Sequence, residues 1–284
     1  MTKIGSYTLH TVETGTFGLD GGAMFGVVPK PLWESRIPAD SQNRIPLAMR
    51  CLLLEDGDRL ILIDNGIGEK FDDKFRDIYK VSFEAADLKR SLASLGYGLD
   101  DVTDVVLSHL HFDHCGGSTC RSGDRRDVAF KKARFHVQLG QWTCANAPNP
   151  REKPSFLQEN LQPLAESGQL VFVNGNGELF PGVTAITVDG HTEKMQLIKI
   201  EDGVKTLVFV ADLLPTRFHL APAWTMAYDV RPLVTIEEKA RFLAEASSEG
   251  WHLFFEHDPV IEIGSVAERG KGYEVVDARP LAEL

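Results

Sequence analysis

The stretch Thr103-Asp-Val-Val-Leu-Ser-His-Leu-His-Phe-Asp-His-Cys-Gly-Gly117 constrains this chain more than any other. A β-branched, apolar run ends at Leu107, and three imidazoles and a carboxylate follow at His109, His111, Asp113 and His114. In an extended segment alternate side chains share a face, so His109 and His111 point the same way and can bind one ion together. Asp113 and His114 follow where the strand turns, and Gly116-Gly117 are expected to let the backbone turn tightly into a helix. A lone histidine would read as a solvated surface residue, but crowded imidazole lone pairs and a desolvated carboxylate are costly unless something positive sits among them. A divalent cation meets that need, so the segment reads as a metal site.

Two other segments resemble each other. Cys51-Leu-Leu-Leu-Glu-Asp-Gly-Asp-Arg-Leu-Ile-Leu-Ile-Asp64 and Ile198-Lys-Ile-Glu-Asp-Gly-Val-Lys-Thr-Leu-Val-Phe-Val-Ala-Asp212 each read as a strand, a Glu-Asp-Gly turn and a second strand ending in Asp. Asp-Gly between apolar runs is a hairpin signal, and nearly continuous apolar second strands indicate burial on both faces. Chance similarity is the alternative to a two-fold repeated layout; a repeat would place a site between the halves.

Further strands are expected at 102–107, 133–137, 170–173, 185–188 and 253–255. Ser82 can cap a helix carrying Leu88, Leu92 and Leu95, closed by Gly96, and Thr235-Ile-Glu-Glu238 reads as a capping box opening a helix that runs to Gly250. A weaker helix spans 155–167, where Pro163 is expected to break or kink it. Alternating helices and strands point to layered α/β structure. Two segments break the rhythm: 21–33, rich in Gly and Pro and carrying Met24, Phe25 and Trp33, is not expected to form a regular core element, and neither is the aromatic segment 215–232 with His219 and Tyr228. Both read as pocket walls or lids, or as loops packed on the domain. With no linker in view, residues 1–284 read as one domain.

Composition narrows the function. The 284 residues carry 41 Asp and Glu against 30 Lys and Arg, a formal charge of -11, which opposes the phosphate neutralisation on which nucleic-acid binding depends. No apolar run approaches the roughly 20 residues that span a bilayer, and the N-terminus carries no apolar targeting core. The four cysteines form no CxxC pair, in keeping with a reducing compartment. The expectation is a soluble cytoplasmic protein acting on a small molecule, without nucleic-acid or membrane partners.

The His-x-His-x-Asp-His run, Gly190-His191-Thr192 after a strand, Asp212 ending the second hairpin, and His257 in Phe254-Phe-Glu-His-Asp258 together resemble the metallo-β-lactamase-fold hydrolases. Leu60 to Gly66 is similar to that family's early strand ending in Asp-x-Gly. The resemblance implies a four-layer αβ/βα sandwich of two mixed sheets with outer helices. It also implies that His109, His111 and His191 hold one ion, that Asp113, His114 and His257 hold the other, and that Asp212 and a hydroxide bridge them. Imidazole and carboxylate donors suit Zn first, with Fe, Mn or Co as alternatives. Asp64 and Thr192 are candidates to orient ligands from behind, whereas His10, His136 and His252 read as ordinary strand or surface residues.

The same resemblance implies hydrolysis of an ester-like bond by the bridging hydroxide, with Asp113 handling the proton. Asp212 stands where the β-lactamases proper mostly have Cys, too few residues follow His257 for the helical domain of the glyoxalase II-like thioesterases, and the redox di-iron relatives usually have Glu in place of His111. Lactonase-like members remain, with organophosphate hydrolase-like activity or a non-catalytic metal-binding regulator as alternatives. The family allows a homodimer. Quorum-quenching lactonases carry a Tyr soon after the bridging Asp; here the sequence is Asp212-Leu-Leu-Pro-Thr216, leaving Tyr228 or His219 to replace it. Met24, Phe25, Trp33 and His219 are the candidate substrate-pocket residues.

Overall fold

In the computed structural model, which describes residues 2–123, 125–270 and 272–284, the first half of the chain builds a seven-stranded sheet. It runs through β1 (Thr2–Ile4), β2 (Tyr7–Asp20), β3 (Arg44–Asp56), β4 (Arg59–Ile63) and β5 (Asp104–Val106), sets aside a small ribbon of β6 (Thr119–Ser122) and β7 (Arg125–Val128), and finishes with β8 (Arg134–Gln138) and β9 (Leu170–Val173). The second sheet, also seven-stranded, follows in chain order: β10 (Gly177–Phe180), β11 (Val183–Val188), β12 (Met195–Glu201), β13 (Thr206–Phe209), β14 (His252–Phe254), β15 (Ile263–Arg269) and β16 (Gly272–Arg279). The strands expected from sequence coincide with β5, β8, β9, β11 and β14 to within two residues at each end.

The two Asp-Gly turns close equivalent hairpins. β3 pairs antiparallel with β4 and β12 with β13, and each second strand then pairs parallel with the next strand of its sheet, β5 or β14. The repeat read from the sequence is therefore architectural. The alternation of side chains along β3 and β4 shows why both are apolar throughout: Leu52, Leu54, Ile61 and Ile63 join Ile200, Leu207 and Phe209 in the core between the sheets. Cys51, Leu53, Leu60 and Leu62 point outward into a second core.

Helices cover the outer faces and the sheet ends: α1 (Gly21–Phe25), α2 (Lys30–Glu34), α3 (Asp73–Ile78), α4 (Leu88–Ser94), α5 (Phe112–Cys115), α6 (Leu139–Asn146), α7 (Gln158–Ser167) and α8 (Pro232–Glu249). Leu92 of α4 and Leu161 and Leu164 of α7 close the outer core of the first sheet, and α8 packs against β15 of the second. The architecture is the αβ/βα sandwich, two mixed sheets face to face with helices outside.

Several local expectations are corrected. α4 is capped by Asp87, whose carboxylate accepts from Arg90 N at 2.9 Å, while Ser82 bridges to Thr16. α7 runs through Pro163 because the carbonyl its ring displaces, that of Glu159, accepts from the Thr119 hydroxyl at 3.1 Å instead. The segment 21–33 is not irregular: it forms α1, capped by the Asp20 carboxylate on Ala23 N, and α2, and it buries Met24, Phe25 and Trp33 in a third core. α8 begins at Pro232, so Thr235 lies inside its first turn and no capping box forms. The segment 215–232 is irregular apart from a short turn at Arg217–Leu220, and Lys239 of α8 pins it by donating to the carbonyls of Ala221 and Trp224 at 3.0 and 2.9 Å.

Candidate metal centre

The strand ends of the two sheets converge on one cluster. The loop after β5 delivers His109 and His111, and the single turn of α5 delivers Asp113 and His114. The loops after β11, β13 and β14 bring His191, Asp212 and His257 from the second sheet. All seven side chains are buried. Donor atoms of His109, His111, His191 and Asp212 form one group, and those of Asp113, His114 and His257 form a second. That is the partition expected from sequence, with Asp212 between the groups: its Oδ2 lies 3.1 Å from His191 Nε2 and 3.5 Å from His114 Nε2, and its Oδ1 lies 3.4 Å from His257 Nε2.

The ring nitrogens show what the cluster is built to hold. His109 Nε2 and His191 Nε2 lie 3.0 and 3.2 Å from His111 Nδ1, and His114 Nε2 lies 3.1 Å from His257 Nε2. Groups behind the rings fix their tautomers. His191 Nδ1 donates to Asp229 at 2.9 Å, and His257 Nδ1 donates to the Ala48 carbonyl at 2.8 Å. Asp64 Oδ2 accepts from His114 Nδ1 at 3.0 Å and from the Ser108 hydroxyl at 2.5 Å, which leaves Ser108 Oγ to accept from His109 Nδ1 at 3.0 Å. The inward nitrogens are therefore lone pairs facing one another, beside an Asp212 Oδ1 that has no hydrogen-bond partner. Such a set repels itself unless a cation lies at its centre. The donors present fit a divalent metal.

Close backbone packing holds these loops in place. Asp64 and Ala211 both have positive φ, 55° and 42°, at corresponding ends of the two repeated hairpins. Strain of this kind, worth roughly 1–3 kcal/mol per residue, concentrates at functional sites. Gly116 and Gly117 do not serve the purpose expected of them. The helical turn comes before them, and Gly116 has ordinary helical angles. A Cβ on Gly116 would meet Ile67 O at 2.2 Å, and one on Gly117 would meet Asn65 O at 2.1 Å. Both are glycine so that the ligand loop can lie on the Asp64–Gly68 backbone. Gly190 packs equally closely on Thr235.

The field inside the cluster follows from burial and proximity. Burial, reinforced by neighbouring imidazoles, drives His109 and His111 well below the ordinary histidine range, and burial also lowers His257. Burial works against a charge on His191 too, yet Asp212 and Asp229 outweigh it and raise the pKa to about 9. His114 moves well upward for the same reason, with Glu256, Asp113 and Asp212 overcoming burial. Asp212 stays ionised despite burial, because His114 and His191 face it.

A cavity of about 240 Å³ opens onto His111, Asp113, His191, Asp212 and His257. Of the expected pocket residues, Met24 lines it and Phe25, Trp33 and His219 do not. Phe25 stacks between Trp33 and His219, at 5.6 and 4.8 Å between ring centroids, as a buried layer behind the wall. His219 has both nitrogens engaged, with Thr216 Oγ1 and the Met24 carbonyl at 2.8 Å each, and burial lowers it to about 4. It cannot reach a substrate. Tyr79 and Tyr228 line the cavity, and burial with nearby carboxylates raises both phenols, so they remain protonated donors.

Sequence reasoning missed the groups that steady the ligand loops from a distance. Glu238 accepts from Asp189 N and Gly190 N at 2.7 and 3.0 Å, Glu152 accepts from the Thr192 hydroxyl at 2.7 Å, and buried Glu256 lies 3.0 Å from His114 Nδ1. The first had a visible signal, Glu238 itself, which was assigned to the wrong backbone. Asp229 and Glu152 carry no local pattern.

A two-sheet αβ/βα sandwich with a His/Asp cluster across its strand ends defines the class of fold and site. The family model of the metallo-β-lactamase superfamily matches residues 46–119. A probable metal-dependent hydrolase from Staphylococcus aureus superposes with a TM-score of 0.87 at 30% identity, covering 98% of this chain and 100% of that one. The chain belongs to the metallo-β-lactamase superfamily. A probable metallo-hydrolase from Mycobacterium bovis is 27% identical over 217 residues, 67% of this chain and 66% of its own length. An N-acyl homoserine lactonase from Bacillus cereus is 27% identical over 177 residues, 59% of this chain and 64% of its own length. These matches span just under two thirds of the curated relatives. A dizinc quorum-quenching lactonase shares the fold at 21% identity with a TM-score of 0.79, covering 97% of this chain and 95% of that one. No helix among the described residues is long and apolar enough to cross a membrane.

Proposed function

We propose that the chain is a dinuclear metal-dependent hydrolase of small lactones or carboxylic esters. The observation that carries this reading is the set of inward lone pairs at the base of a cavity walled by apolar and phenolic side chains. His109, His111 and His191 would hold one divalent ion, Asp113, His114 and His257 the other, and Asp212 both, with zinc the best match to the donors. When bound, the ions would supply a hydroxide nucleophile at neutral pH and polarise the electrophile.

The chain's own residues supply the rest. Asp113 faces the cavity, where its carboxylate can take the proton released on attack and pass it to the leaving oxygen. The Tyr228 phenol, kept protonated, can donate to the oxygen on which charge develops, the task that His219 is turned away from. Met24, Phe112 and Met226 exclude water from one side of the substrate. The similarity to proteins named N-acyl homoserine lactonase supports the lactone class.

Zinc-reconstituted protein assayed on panels of lactones, aryl esters and phosphotriesters tests the proposal. Turnover of lactones or esters that is abolished in Asp113→Asn is expected. Wild-type turnover in that variant would sink the assigned role, and phosphotriesters as the only substrates would transfer the site to the organophosphate reading.

A further inference from the structure

Apart from the candidate ligands, the wall of the active cavity is apolar or phenolic, with two exceptions: Ser155 and Arg151. Arg151 is the only Lys or Arg among the described residues that line it. Its Nη2 donates to the main-chain carbonyls of Ala227 and Asp229, the latter at 3.0 Å. Among the described residues no carboxylate lies within ion-pair distance of the guanidinium, and its Nε and Nη1 have no side-chain or main-chain acceptor. The main chain thus fixes the orientation of this cation without neutralising it. Arg44, Arg50, Arg217 and Arg231, by contrast, are paired with carboxylates.

A guanidinium with one edge anchored and another edge open matches the planar, two-oxygen geometry of a carboxylate. On the surface of a chain of formal charge -11, such a cation at the cavity concentrates anions there. The adjoining backbone is rigid for a reason of its own: Asp229, whose carbonyl anchors Arg151, also holds His191 through its carboxylate, and neighbouring Glu152 holds Thr192. Arg151 is therefore set at a fixed position relative to the ligand cluster, as a ruler for substrate length requires.

We infer that Arg151 recognises a carboxylate on the substrate remote from the scissile bond, so that the preferred substrates are small lactones or esters bearing a second, anionic arm. This rests on the hydrolase reading, but recognition and turnover are separable by experiment.

Zinc-loaded protein is titrated calorimetrically with the dicarboxylates from succinate to adipate, the hydrolysis products of the corresponding monoesters, and with their monoamides, the products of the matched ester amides. The wild type is expected to bind at least one dicarboxylate about tenfold or more tightly than its monoamide. Arg151→Gln is expected to bring that ratio close to one, and Arg151→Lys to keep part of it. In the wild type, the Arg151 Nε–H resonance is expected to shift on adding the preferred dicarboxylate and to stay in place with the monoamide, a readout that needs no variant. A wild type that does not discriminate, a preference that persists in Arg151→Gln, or an unmoved Arg151 resonance overturns the inference. Turnover of the corresponding 4-nitrophenyl monoesters is read separately: discrimination in binding with no turnover would sink the hydrolase reading and leave the recognition standing.

Discussion

His114 Nε2 and His257 Nε2 lie 3.1 Å apart, while the nitrogen on the far side of each ring is held by Asp64 at 3.0 Å and by the Ala48 carbonyl at 2.8 Å. Neither ring can turn away without breaking a buried hydrogen bond. In chelated protein a proton on His114, favoured by the surrounding carboxylates, is the cation available to bridge the pair. Metal and proton thus compete for the same lone pairs.

The competition has a definite pH signature. His191 in chelated protein has a pKa near 9, so below pH 9 its Nε2 carries a proton that a metal must displace. Zinc uptake is expected to release at least one proton at pH 7, and apparent affinity is expected to rise with pH and to flatten above about pH 9. The stability of chelated protein runs the other way. A histidine whose folded pKa is raised contributes fully below its unfolded value, near 6.5, and that contribution is lost as pH rises through 9. Calorimetry in buffers of different ionisation enthalpy measures the proton release. Release that is zero at pH 7 would contradict the assignment.

Asp64 is expected to matter to both ions and Asp229 to one. Asp64 orients His114 directly and His109 through Ser108, whereas among the candidate ligands Asp229 holds only His191. Asp64→Asn should weaken both metal sites and Asp229→Asn only the one containing His191, each by about 10- to 100-fold. Chelator competition with two resolved binding steps checks this; equal losses at both steps in Asp229→Asn would refute the partition of ligands.

The ligands were legible in the sequence because strand periodicity and loop position confine them to short motifs: His109 to His114 between the end of one strand and the turn after it, His191 beside Gly190, Asp212 at a repeated strand end. What supports them was not, because Asp229, Glu152 and Glu238 reach their partners across 38, 40 and 48 or more positions of chain. Glu238 shows how local reading goes astray: its spacing from Thr235 mimics a capping box, while its carboxylate serves the backbone of another loop. The glycines of 21–33 likewise masked two short helices, since Gly21 is there to let the Trp33 ring approach, its Cβ position lying 2.4 Å from that ring.

Gly116→Ala separates steric from conformational need. Its angles suit alanine, but the added methyl meets the Ile67 carbonyl at 2.2 Å, and backbone on both sides leaves little room to yield. Overpacking of this kind costs about 1–3 kcal/mol. The variant is expected to unfold at lower denaturant with an unchanged slope, and to bind zinc more weakly because His114 lies two residues away. Wild-type stability would show that the two loops can part without cost.

Tyr228→Phe tests the electrophile side of the proposed site. The phenol lines the cavity near Asp113 and Asp212, and burial together with Tyr79 and those carboxylates keeps its proton on. If it donates to developing negative charge, its loss should lower kcat by on the order of 10²-fold, with KM and zinc content little changed. Tyr79→Phe is the companion variant, because that phenol is also a protonated donor on the same wall. A rise in KM alone for both would place the phenols in ground-state binding. A selective loss of kcat in Tyr228→Phe would assign this residue, rather than His219 turned toward Met24, to the position after Asp212 where the lactonase-like pattern has tyrosine.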